Sequence, residues 1–370
     1  MSSVTPVRVG IVGLGFGAEF IPIYQRHPDA ELVAICRRDP AGLNEVGDAF
    51  GVEGRYTSYE ELLADSTVDA IHINTPIPDH AAQSIAALEA GKHVACTVPM
   101  ATSLEDCEAI AAAAAASGKN YMMMETVVYS REFLFVQKLV RDGELGRLQF
   151  LRGSHQQEMG GWPGYWEGLP PMYYATHAVS PLLRLADRRA ESVSCVGSGR
   201  IDEALIGKYG SPFAVESAHI RLHESDIAAE VTRSLFNTAR EYRESFDVYG
   251  SERSFEWEQT HGSGFVVFTG EEPATVEIPD FAELLPEEIR SFTTQGVYDD
   301  THEHLSFVQG GGHGGSHPHL VNEFVSSIVE GRPSSIDART AANWTAVGIV
   351  AHDSAMAGGT PVALPEFTLA

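Results

Sequence analysis

The sequence has few cysteines, few lysines and no long apolar run, and each shortage excludes a class of protein. Four cysteines (Cys36, Cys96, Cys107 and Cys195) in 370 residues are too few and too scattered for a disulfide framework, so we expect reduced thiols. No stretch approaches the ~18 consecutive apolar residues of a transmembrane helix. The first residues lack the basic and apolar segments of a secretory signal, which predicts a cytoplasmic protein.

Basic residues are scarce as well. The chain contains 51 acidic and 25 basic residues, only four of which are lysines, and its formal net charge is −26. A field of this sign repels nucleic acids and anionic membranes, so we expect neither as a partner. The charge leaves a small-molecule substrate open, because a small basic pocket can exist in an acidic protein.

The pattern of predicted strands and helices changes near residue 125. Before it, short apolar runs at 7–12, 31–36, 70–74, 93–96 and 120–124 alternate with helical stretches, which indicates a doubly wound parallel sheet. After it, longer strand-like segments and a helical tail indicate an α+β domain with a large, open, mainly antiparallel sheet. We therefore expect an α/β domain over residues 1–125 and a second domain over residues 126–370.

A glycine-rich loop follows the first predicted strand. The hexapeptide GLGFGA at 13–18 has the spacing G-x-G-x-x-A and opens a helix. The first glycine permits a tight turn, the second lets the backbone approach a pyrophosphate, and the small last residue lets the helix pack on the strand. This place in a βαβ unit predicts a Rossmann domain with Gly13, Gly15, Phe16 and Gly17 at a dinucleotide.

The segment that recognises the adenosine ribose departs from the usual pattern for NAD. About 20 residues after the loop, an acidic side chain normally bonds the ribose, whereas this chain has Cys36-Arg37-Arg38-Asp39. Arginine at this place accepts the 2′-phosphate of NADP or stacks on adenine, and Asp39 is still available for the ribose. We expect Arg37 and Arg38 at the cofactor and favour NAD over NADP.

Segments spread along the chain resemble the glucose–fructose oxidoreductase, inositol dehydrogenase and rhizopine-catabolism (Gfo/Idh/MocA) family. The segments are VGIVGLGFGA at 9–18, NTP at 74–76 with His80, and LEAGKHV at 88–94. The resemblance implies that Thr75, Pro76 and His80 lie near the cofactor.

The chain departs from those dehydrogenases at two catalytic positions. They have a Glu-Lys-Pro triplet whose lysine helps to deprotonate a sugar hydroxyl, but here the triplet is Thr97-Val98-Pro99. Val98 cannot move a proton, although the resemblance still places all three residues at the cofactor. The Asp-x-x-x-His pair of those enzymes becomes Tyr173 and His177, so the histidine is kept and the aspartate is lost.

One branch, the NAD-dependent glycoside hydrolases of family 109 type, also lacks the lysine. Its Tyr-Pro-Thr-His and Gly-His-Gly-Gly motifs are similar to YATH at 174–177 and GHGG at 312–315, and its ending is similar to Asp337, AANW at 341–344 and PVALPEF at 361–367. The resemblance implies hydrolysis without net redox change. A sugar carbon, conventionally C3, gives up a hydride, the ketone acidifies the hydrogen at C2, the leaving group is eliminated, water adds, and the hydride returns.

Four residues are the candidates for this proton chemistry. His177 titrates near neutral pH and is expected at the oxidised hydroxyl. Tyr174 shares a helical face with it and either donates to the enolate or removes the C2 proton. His155, at the end of a predicted strand, is a second base or an acid for the leaving group, unless it lies at the surface. His313 is expected to line the sugar pocket.

Five histidines at 302, 304, 313, 317 and 319 have spacings that Zn²⁺ or Mn²⁺ can use. No cysteine or aspartate cluster completes such a site, and the resembled family needs no metal, so we predict none.

Two expectations concern loops and surfaces. The segment at 160–172 is rich in glycine, proline and aromatic residues, and its Trp162 either stacks on the nicotinamide or a sugar or serves as a packing anchor. An uncovered sheet face in the second domain predicts a homo-oligomer, a dimer or a tetramer.

The substrate that we expect is a glycoside, most simply an α-glycoside, with sulfoquinovosides and N-acetylgalactosaminides as the candidates. Arg131, Lys208, Arg233 and Arg240 are the candidates for holding a sulfonate. The alternatives to a hydrolase are an NAD(P)-dependent sugar dehydrogenase and a sugar sensor without activity.

Overall fold

The computed structural model describes residues 5–240, 242–294 and 310–367, with the backbone alone at 310–312. Six strands near the N-terminus form an all-parallel sheet. They are β1 (Val7–Val12), β2 (Ala30–Cys36), β3 (Gly54–Tyr56), β4 (Ala70–Ile73), β5 (His93–Cys96) and β6 (Tyr121–Met123). The order β3-β2-β1-β4-β5-β6 confirms the doubly wound sheet, and the crevice at its switch point lies between β1 and β4.

Helices connect the parallel strands. They are α1 (Ile21–Arg26), α2 (Pro40–Phe50), α3 (Tyr59–Ala64), α4 (His80–Glu89) and α5 (Leu104–Ser117). A 3-10 turn, Gly17–Phe20, precedes α1 and carries the end of the glycine-rich loop.

The second sheet has nine strands. They are β7 (Leu148–Gln156), β8 (Ala190–Ser198), β9 (Val215–Leu222), β10 (Ala228–Ser234), β11 (Arg243–Gly250), β12 (Ser254–Glu256), β13 (Phe265–Thr269), β14 (Glu272–Val276) and β15 (Val362–Ala363). Their order is β14-β13-β12-β11-β7-β10-β9-β8-β15, and the β7–β10 pair is parallel whereas the other pairs are antiparallel. The expected large, open, mainly antiparallel sheet is confirmed.

Five described α-helices follow the parallel sheet in the chain. They are α6 (Arg131–Arg141), α7 (Thr176–Ala186), α8 (Glu203–Ile206), α9 (Gly310–Val329) and α10 (Ala338–Met356). Helix α7 packs on β7, β10 and β11, and α10 packs on β8 and β9. Helix α10 also contacts α5 and β6, so it joins the two sheets, and α9 contacts α1 and β1 of the parallel-sheet half. Among the described residues, no helix is long and apolar enough to cross a membrane.

Two glycines let the backbone segments beneath the site approach closely. A Cβ on Gly153 of β7 would lie 2.1 Å from the carbonyl oxygen of Ala178 in α7. A Cβ on Gly348 of α10 would lie 2.0 Å from the carbonyl oxygen of Met172, which belongs to the 3-10 turn Pro171–Tyr174. Any larger residue would push α7 or this turn away from its support.

We expect Gly153→Ala to destabilise the fold by about 1–3 kcal/mol, the usual cost of overpacking a buried contact. The added methyl group forces α7 away from β7, and urea unfolding measures the loss. Gly207→Ala is the matched control, because a Cβ at Gly207 meets nothing within 4 Å, and its change should stay within about 0.5 kcal/mol. Equal stability of the two variants would contradict the close approach of α7 to β7.

Candidate active site

Strand register places three polar residues side by side in the second sheet. In β7, His155 is paired with Arg233 of β10 on one side and with Glu244 of β11 on the other. Directly paired residues point to the same face of a sheet, so the three side chains form a row. His155 and Arg233 are buried, and the Glu244 side chain is 14% exposed.

Helix α7 places His177 above this row. Its Nδ1 lies 2.6 Å from Oε1 of Glu125, which follows β6 of the parallel sheet, and 3.8 Å from Oε1 of Glu244. Its Nε2 lies 3.3 Å from the hydroxyl oxygen of Tyr174. Burial opposes a charge on this ring, but the two carboxylates outweigh burial and raise the pKa of His177. A carboxylate on Nδ1 leaves Nε2 as the nitrogen that can exchange a proton with a substrate.

Tyr174 is held from two sides. Its 3-10 turn is anchored where the backbone nitrogen of Met172 donates to Oε2 of the buried Glu216 at 2.8 Å. Arg233 donates through Nε to the carbonyl oxygen of Tyr174 at 2.7 Å, and its guanidinium carbon lies 5.2 Å from the ring centroid. Burial raises the pKa of Tyr174 and the charge of Arg233 opposes this rise. The hydroxyl is therefore a hydrogen-bond donor at neutral pH.

His155 is buried with both ring nitrogens lacking a hydrogen-bond partner among the described residues. A buried polar group without a partner costs about 1–3 kcal/mol, which a ligand hydroxyl would recover. Burial, together with the charges of Arg233 and His177, lowers the pKa of His155 well below its ordinary value. His155 is therefore neutral, and both of its ring nitrogens are available to a ligand.

The Gly-His-Gly-Gly segment brings His313 to the same cluster. Its ring is stacked on that of His177, with centroids 6.4 Å apart and planes at 19°. Three successive residues have positive φ, namely 47° at His313, 65° at Gly314 and 80° at Gly315. A Cβ at Gly315 would lie 2.4 Å from the carbonyl oxygen of Thr293, so only glycine fits there. The glycines thus aim the histidine at the site.

The structure therefore gathers all four predicted catalytic residues. Around the ring of His177, the centroids of His155, Tyr174 and His313 lie at 5.1, 5.3 and 6.4 Å. The alternative surface position for His155 is wrong, because its side chain is 1% exposed.

The three glycines of the dinucleotide loop have the environments that a pyrophosphate site requires. Gly13 has φ of 84°, and a Cβ there would lie 2.4 Å from the carbonyl oxygen of Asn74. A Cβ on Gly15 would meet nothing within 4 Å, whereas one on Gly17 would lie 3.0 Å from Ile11 Cγ2. Gly13 therefore makes the turn, Gly15 opens to the ligand and Gly17 permits close packing. Phe16 packs edge-on against Phe20 at 5.4 Å.

His80 holds the two other predicted cofactor segments together. Its Nε2 and Nδ1 lie 2.8 Å from the carbonyl oxygens of Thr75 and Pro99, and it is buried. Burial opposes its charge, but the neighbouring Cys96 and the two carbonyl groups outweigh burial and raise the pKa of His80 to about 9. Because both ring nitrogens are used, His80 supports the cofactor segments and does not offer a nitrogen to the cofactor.

The two segments that His80 joins lie at the carboxyl ends of β4 and β5. Pro76 follows Thr75 there, and Val98 separates Thr97 from Pro99. Thr97 donates its hydroxyl to the carbonyl oxygen of Ile73 at 3.2 Å, and Val98 is buried. This is the edge of the sheet at which the expected cofactor contacts would be made.

The carboxylate of Asp39 is already engaged at the N-terminus of α2. It accepts from the backbone nitrogen of Gly42 at 2.9 Å and lies 3.8 Å from Arg37 Nη2. The Arg37 guanidinium lies over Gly42, where a Cβ would be 2.5 Å from Cζ. Arg38 is exposed. Arg37 and Arg38 therefore dominate the charge at the end of β2.

Trp162 lies at the outer side of the aromatic loop. Its ring contacts Trp166 edge-on at 6.2 Å, and Trp166 contacts the ring of Tyr174 at 4.8 Å. The side chain of Trp162 is 37% exposed. The loop thus forms an aromatic wall behind Tyr174, and stacking of Trp162 on a ligand stays a prediction.

Three residues of types that bind metal ions lie close together in the cluster around His177. They are not the five histidines at 302–319 with metal-ligand spacing. His155, His177 and Glu244 each place one donor atom so that all three lie within 4.8 Å of one another. Two of these donors already have partners, since His177 Nδ1 contacts Glu125 and Glu244 Oε1 accepts from the hydroxyl of Tyr242 at 2.6 Å. We therefore interpret the arrangement as an acid–base cluster, in which His155 is the member without a hydrogen-bond partner among the described residues. His302 and His304 lie outside the described residues.

The sequence pattern does not single out Glu125 and Glu244 as site residues. One signal was available for Glu125, since it directly follows the last parallel strand, and ligands bind at the carboxyl ends of such strands. Glu244 becomes a site residue only through the register of β11 with β7, and Arg233, predicted only as a candidate for holding a sulfonate, lies beside His155 through the register of β10 with β7. Sequence patterns do not specify this register.

Comparisons with known families agree with this geometry. Residues 7–125 match the family model described as the oxidoreductase family with an NAD-binding Rossmann fold, GFO_IDH_MocA. Residues 298–370 match the C-terminal domain of glycosyl hydrolase 109. A glycosyl hydrolase family 109 protein of Shewanella baltica is 26% identical, and the match covers 98% of this chain and 85% of that protein. An alpha-N-acetylgalactosaminidase of Shewanella oneidensis is 25% identical over the same shares.

Solved structures share the fold. A levoglucosan dehydrogenase in complex with NADH and levoglucosan has a TM-score of 0.80 at 20% identity, covering 98% of this chain and 100% of that one. An oxidoreductase from Agrobacterium radiobacter in complex with NAD+, L-tartaric acid and magnesium has a TM-score of 0.78 at 19% identity, covering 97% and 98%. These likenesses confirm the expected Rossmann fold, and the family model over residues 7–125 is that of an NAD-binding domain.

We expect Glu125→Gln to lower the pKa of His177 by about 1–3, the usual effect of losing an adjacent opposite charge. A pKa raised in the folded state stabilises the fold fully below the unfolded value of 6.5, and this contribution is lost as the pH rises through the folded pKa. The variant should therefore lose more stability at pH 6 than at pH 9.

Urea unfolding across pH, together with NMR titration of the histidine ring protons, measures this effect. Glu53→Gln is the matched control, because Glu53 is exposed. An equal loss at both pH values would show that Glu125 acts on the fold through packing and not through its charge.

Proposed function

We propose that this chain hydrolyses a glycoside with recycling of bound NAD, because residues 7–125 match the NAD-binding oxidoreductase family model and residues 298–370 match the C-terminal domain of glycosyl hydrolase 109. The net reaction is hydrolysis, and the hydride taken from C3 of the sugar returns to the sugar. The alternative, an NAD(P)-dependent sugar dehydrogenase, has the fold in its favour.

One observation carries the proposal, namely the chain of contacts Glu125–His177–Tyr174 in a sequence that has a valine at the lysine position. His177 bonds the carboxylate with one nitrogen and faces the phenol hydroxyl with the other. Val98 is buried and has no proton to exchange. Proton transfer at the sugar therefore falls to this chain of groups, which suits repeated deprotonation and protonation within one binding event.

The environment of each group favours a role. His177, supported by Glu125, exchanges the proton of the oxidised hydroxyl through Nε2. Tyr174, whose pKa burial keeps above its ordinary value, donates its hydroxyl to the ketone and enolate oxygen. His155, neutral and without a partner among the described residues, bonds a sugar hydroxyl or the leaving-group oxygen.

The residues at the carboxyl edge of the parallel sheet fit NAD. Gly13, Gly15 and Gly17 supply the turn, the open approach and the close packing, and Thr75 and Pro99 are fixed by His80. When bound, NAD supplies the acceptor and donor of the hydride. The side chains around His177 then need only orient the sugar and move its protons.

For the substrate we propose an α-N-acetylgalactosaminide, since an alpha-N-acetylgalactosaminidase is among the relatives. Two of the candidate sulfonate ligands already donate hydrogen bonds to main-chain carbonyl groups. Arg233 bonds the carbonyl oxygens of Tyr174, His155 and Ser234, and Arg131 bonds those of Gly314 and Thr293. These contacts disfavour a sulfoquinovoside.

The two other candidates also bond main-chain carbonyl groups. Lys208 donates to Gly164 at 3.3 Å, and Arg240 donates to Gln259. Both are exposed.

We propose further that the uncovered face of the second sheet joins copies of this chain in a dimer or tetramer. Val196 on this face is 57% exposed, and an open sheet of nine strands commonly finds a partner in this way.

The hydrolase is expected to release nitrophenol from a p-nitrophenyl α-glycoside with no net rise in NADH absorbance. The protein is purified without added nucleotide and incubated with α- and β-linked sugars, including N-acetylgalactosamine and sulfoquinovose. Nitrophenol release without NADH supports the proposal and identifies the sugar. Stoichiometric NADH without nitrophenol would instead establish a dehydrogenase, and bound NAD with neither signal would favour a sensor.

Tyr174→Phe is expected to slow deuterium exchange at C2 of the sugar by about 10²–10⁴-fold, the usual contribution of a positioned acid or base, with KM little changed. The exchange reports formation of the enolate, which the hydroxyl of Tyr174 stabilises. Tyr173→Phe is the matched control, because Tyr173 lies in the same turn but packs against His352 at 5.3 Å. Equal exchange rates in the two variants would remove Tyr174 from the mechanism.

A further inference from the structure

Behind the active site lies a second polar chain that the proposed reaction has not used. His313 Nδ1 lies 3.3 Å from Nε2 of His317, four residues further along the chain. The other nitrogen of His317, Nδ1, lies 3.2 Å from Oε2 of Glu19. Glu19 is buried in the 3-10 turn that follows the glycine-rich loop. The chain therefore runs from the cofactor loop to the ring that stacks on His177.

The two imidazoles must share one proton between their facing nitrogens. Burial lowers the pKa of both His313 and His317, so both rings are neutral and each carries a single N–H. In a contact between two neutral imidazoles, one nitrogen donates and the other accepts. Which ring donates depends on where His317 keeps its own proton.

Glu19 decides that position. The proton of His317 is attracted to Nδ1, the nitrogen beside the carboxylate, even though the contact lies outside hydrogen-bond geometry among the described residues. When the proton of His317 is on Nδ1, Nε2 of His317 carries a lone pair and accepts a hydrogen bond from Nδ1–H of His313. The nitrogen that remains to His313, Nε2, then carries a lone pair.

Aromatic walls keep the two rings in place. Phe16 meets the rings of His313 and His317 edge-on at 5.8 and 5.5 Å, and Phe20 lies 4.7 Å from His317. A ring flip that exchanged the two nitrogens would have to displace these side chains. The orientation set by Glu19 is therefore preserved at His313.

We infer that Glu19 and His317 are positioning residues that hold His313 in the tautomer with its proton on Nδ1, so that Nε2 of His313 is a proton acceptor in the active site. The different environments of the two neighbouring rings therefore give them different protonation states. His177, between two carboxylates, is the ring that charges, whereas His313 is the neutral base. Its use in removing the C2 proton of the sugar rests on the proposed function, but the tautomer does not.

The first experiment reads the tautomer in the unmodified protein. The full chain with its nucleotide is labelled with ¹⁵N-histidine, and the signals of His313 are identified by their loss in His313→Gln. We expect a protonated Nδ1 and an unprotonated Nε2 at neutral pH. A protonated Nε2 on His313 would overturn the inference without any further variant.

The second experiment changes the group that sets the tautomer. Glu19→Gln can donate to His317 Nδ1, which moves the proton of His317 to Nε2 and that of His313 to its own Nε2. We expect the protonated and unprotonated ¹⁵N signals of His313 to swap between Nδ1 and Nε2. The rate of deuterium exchange at C2 should fall by about 10²-fold, with KM little changed. Glu89→Gln, an exposed substitution, should change neither.

The outcomes separate the inference from the proposed function. Unchanged His313 signals in Glu19→Gln would overturn the role of Glu19. If the two ¹⁵N signals of His313 swap but the rate of deuterium exchange at C2 does not change, Glu19 sets the tautomer of His313 and His313 is excluded as the base that removes the C2 proton. In a His317→Phe background, Glu19→Gln should have no further effect on C2 exchange, because Glu19 acts through His317, and an additive loss would contradict that route.

Discussion

The contact between Glu125 and His177 is the interaction on which the rest of the site depends. Glu125 follows the last strand of the parallel sheet, and His177 begins the helix that covers the second sheet. Their 2.6 Å contact therefore connects the carboxyl edge of the parallel sheet to the row of side chains on β7, β10 and β11. A histidine whose first nitrogen is fixed by a carboxylate has one orientation and one exchangeable position.

The buried charges around this contact balance in sign. Arg233 and a protonated His177 face Glu125 and Glu244, and burial lowers the pKa of Arg233 only to about 10, so the guanidinium stays charged. Burial opposes the charge on Glu244 too, but the charge of His177 and the hydrogen bond from Tyr242 help to hold its pKa below the ordinary value. Removing one member of such a set leaves its partner's buried charge uncompensated, which costs more than the contact itself contributes.

The fold is shared with sugar dehydrogenases, so the fold alone does not decide the reaction. This chain differs from the resembled dehydrogenases in a few side chains near the carboxyl edge of the parallel sheet. Val98 removes the proton acceptor that the resembled dehydrogenases have next to the cofactor, and Tyr174, His155 and His313 surround His177 with groups that exchange protons or donate hydrogen bonds. A site with several such groups and a retained cofactor suits a reaction in which oxidation and reduction occur on one bound sugar.

The sequence by itself determined the parallel sheet and the glycine loop, and it named His155, Tyr174, His177 and His313 as candidates for one site. These depend on local signals, since short β-branched runs, turn glycines and motif spacing act within a few residues. Only the tertiary structure decided that Glu125, Glu244 and Arg233 belong to the same site, and that His80 supports the cofactor segments from behind. Strand register and the close approach of α7 at Gly153 bring together residues far apart in the chain, and the pKa values follow from that proximity and burial.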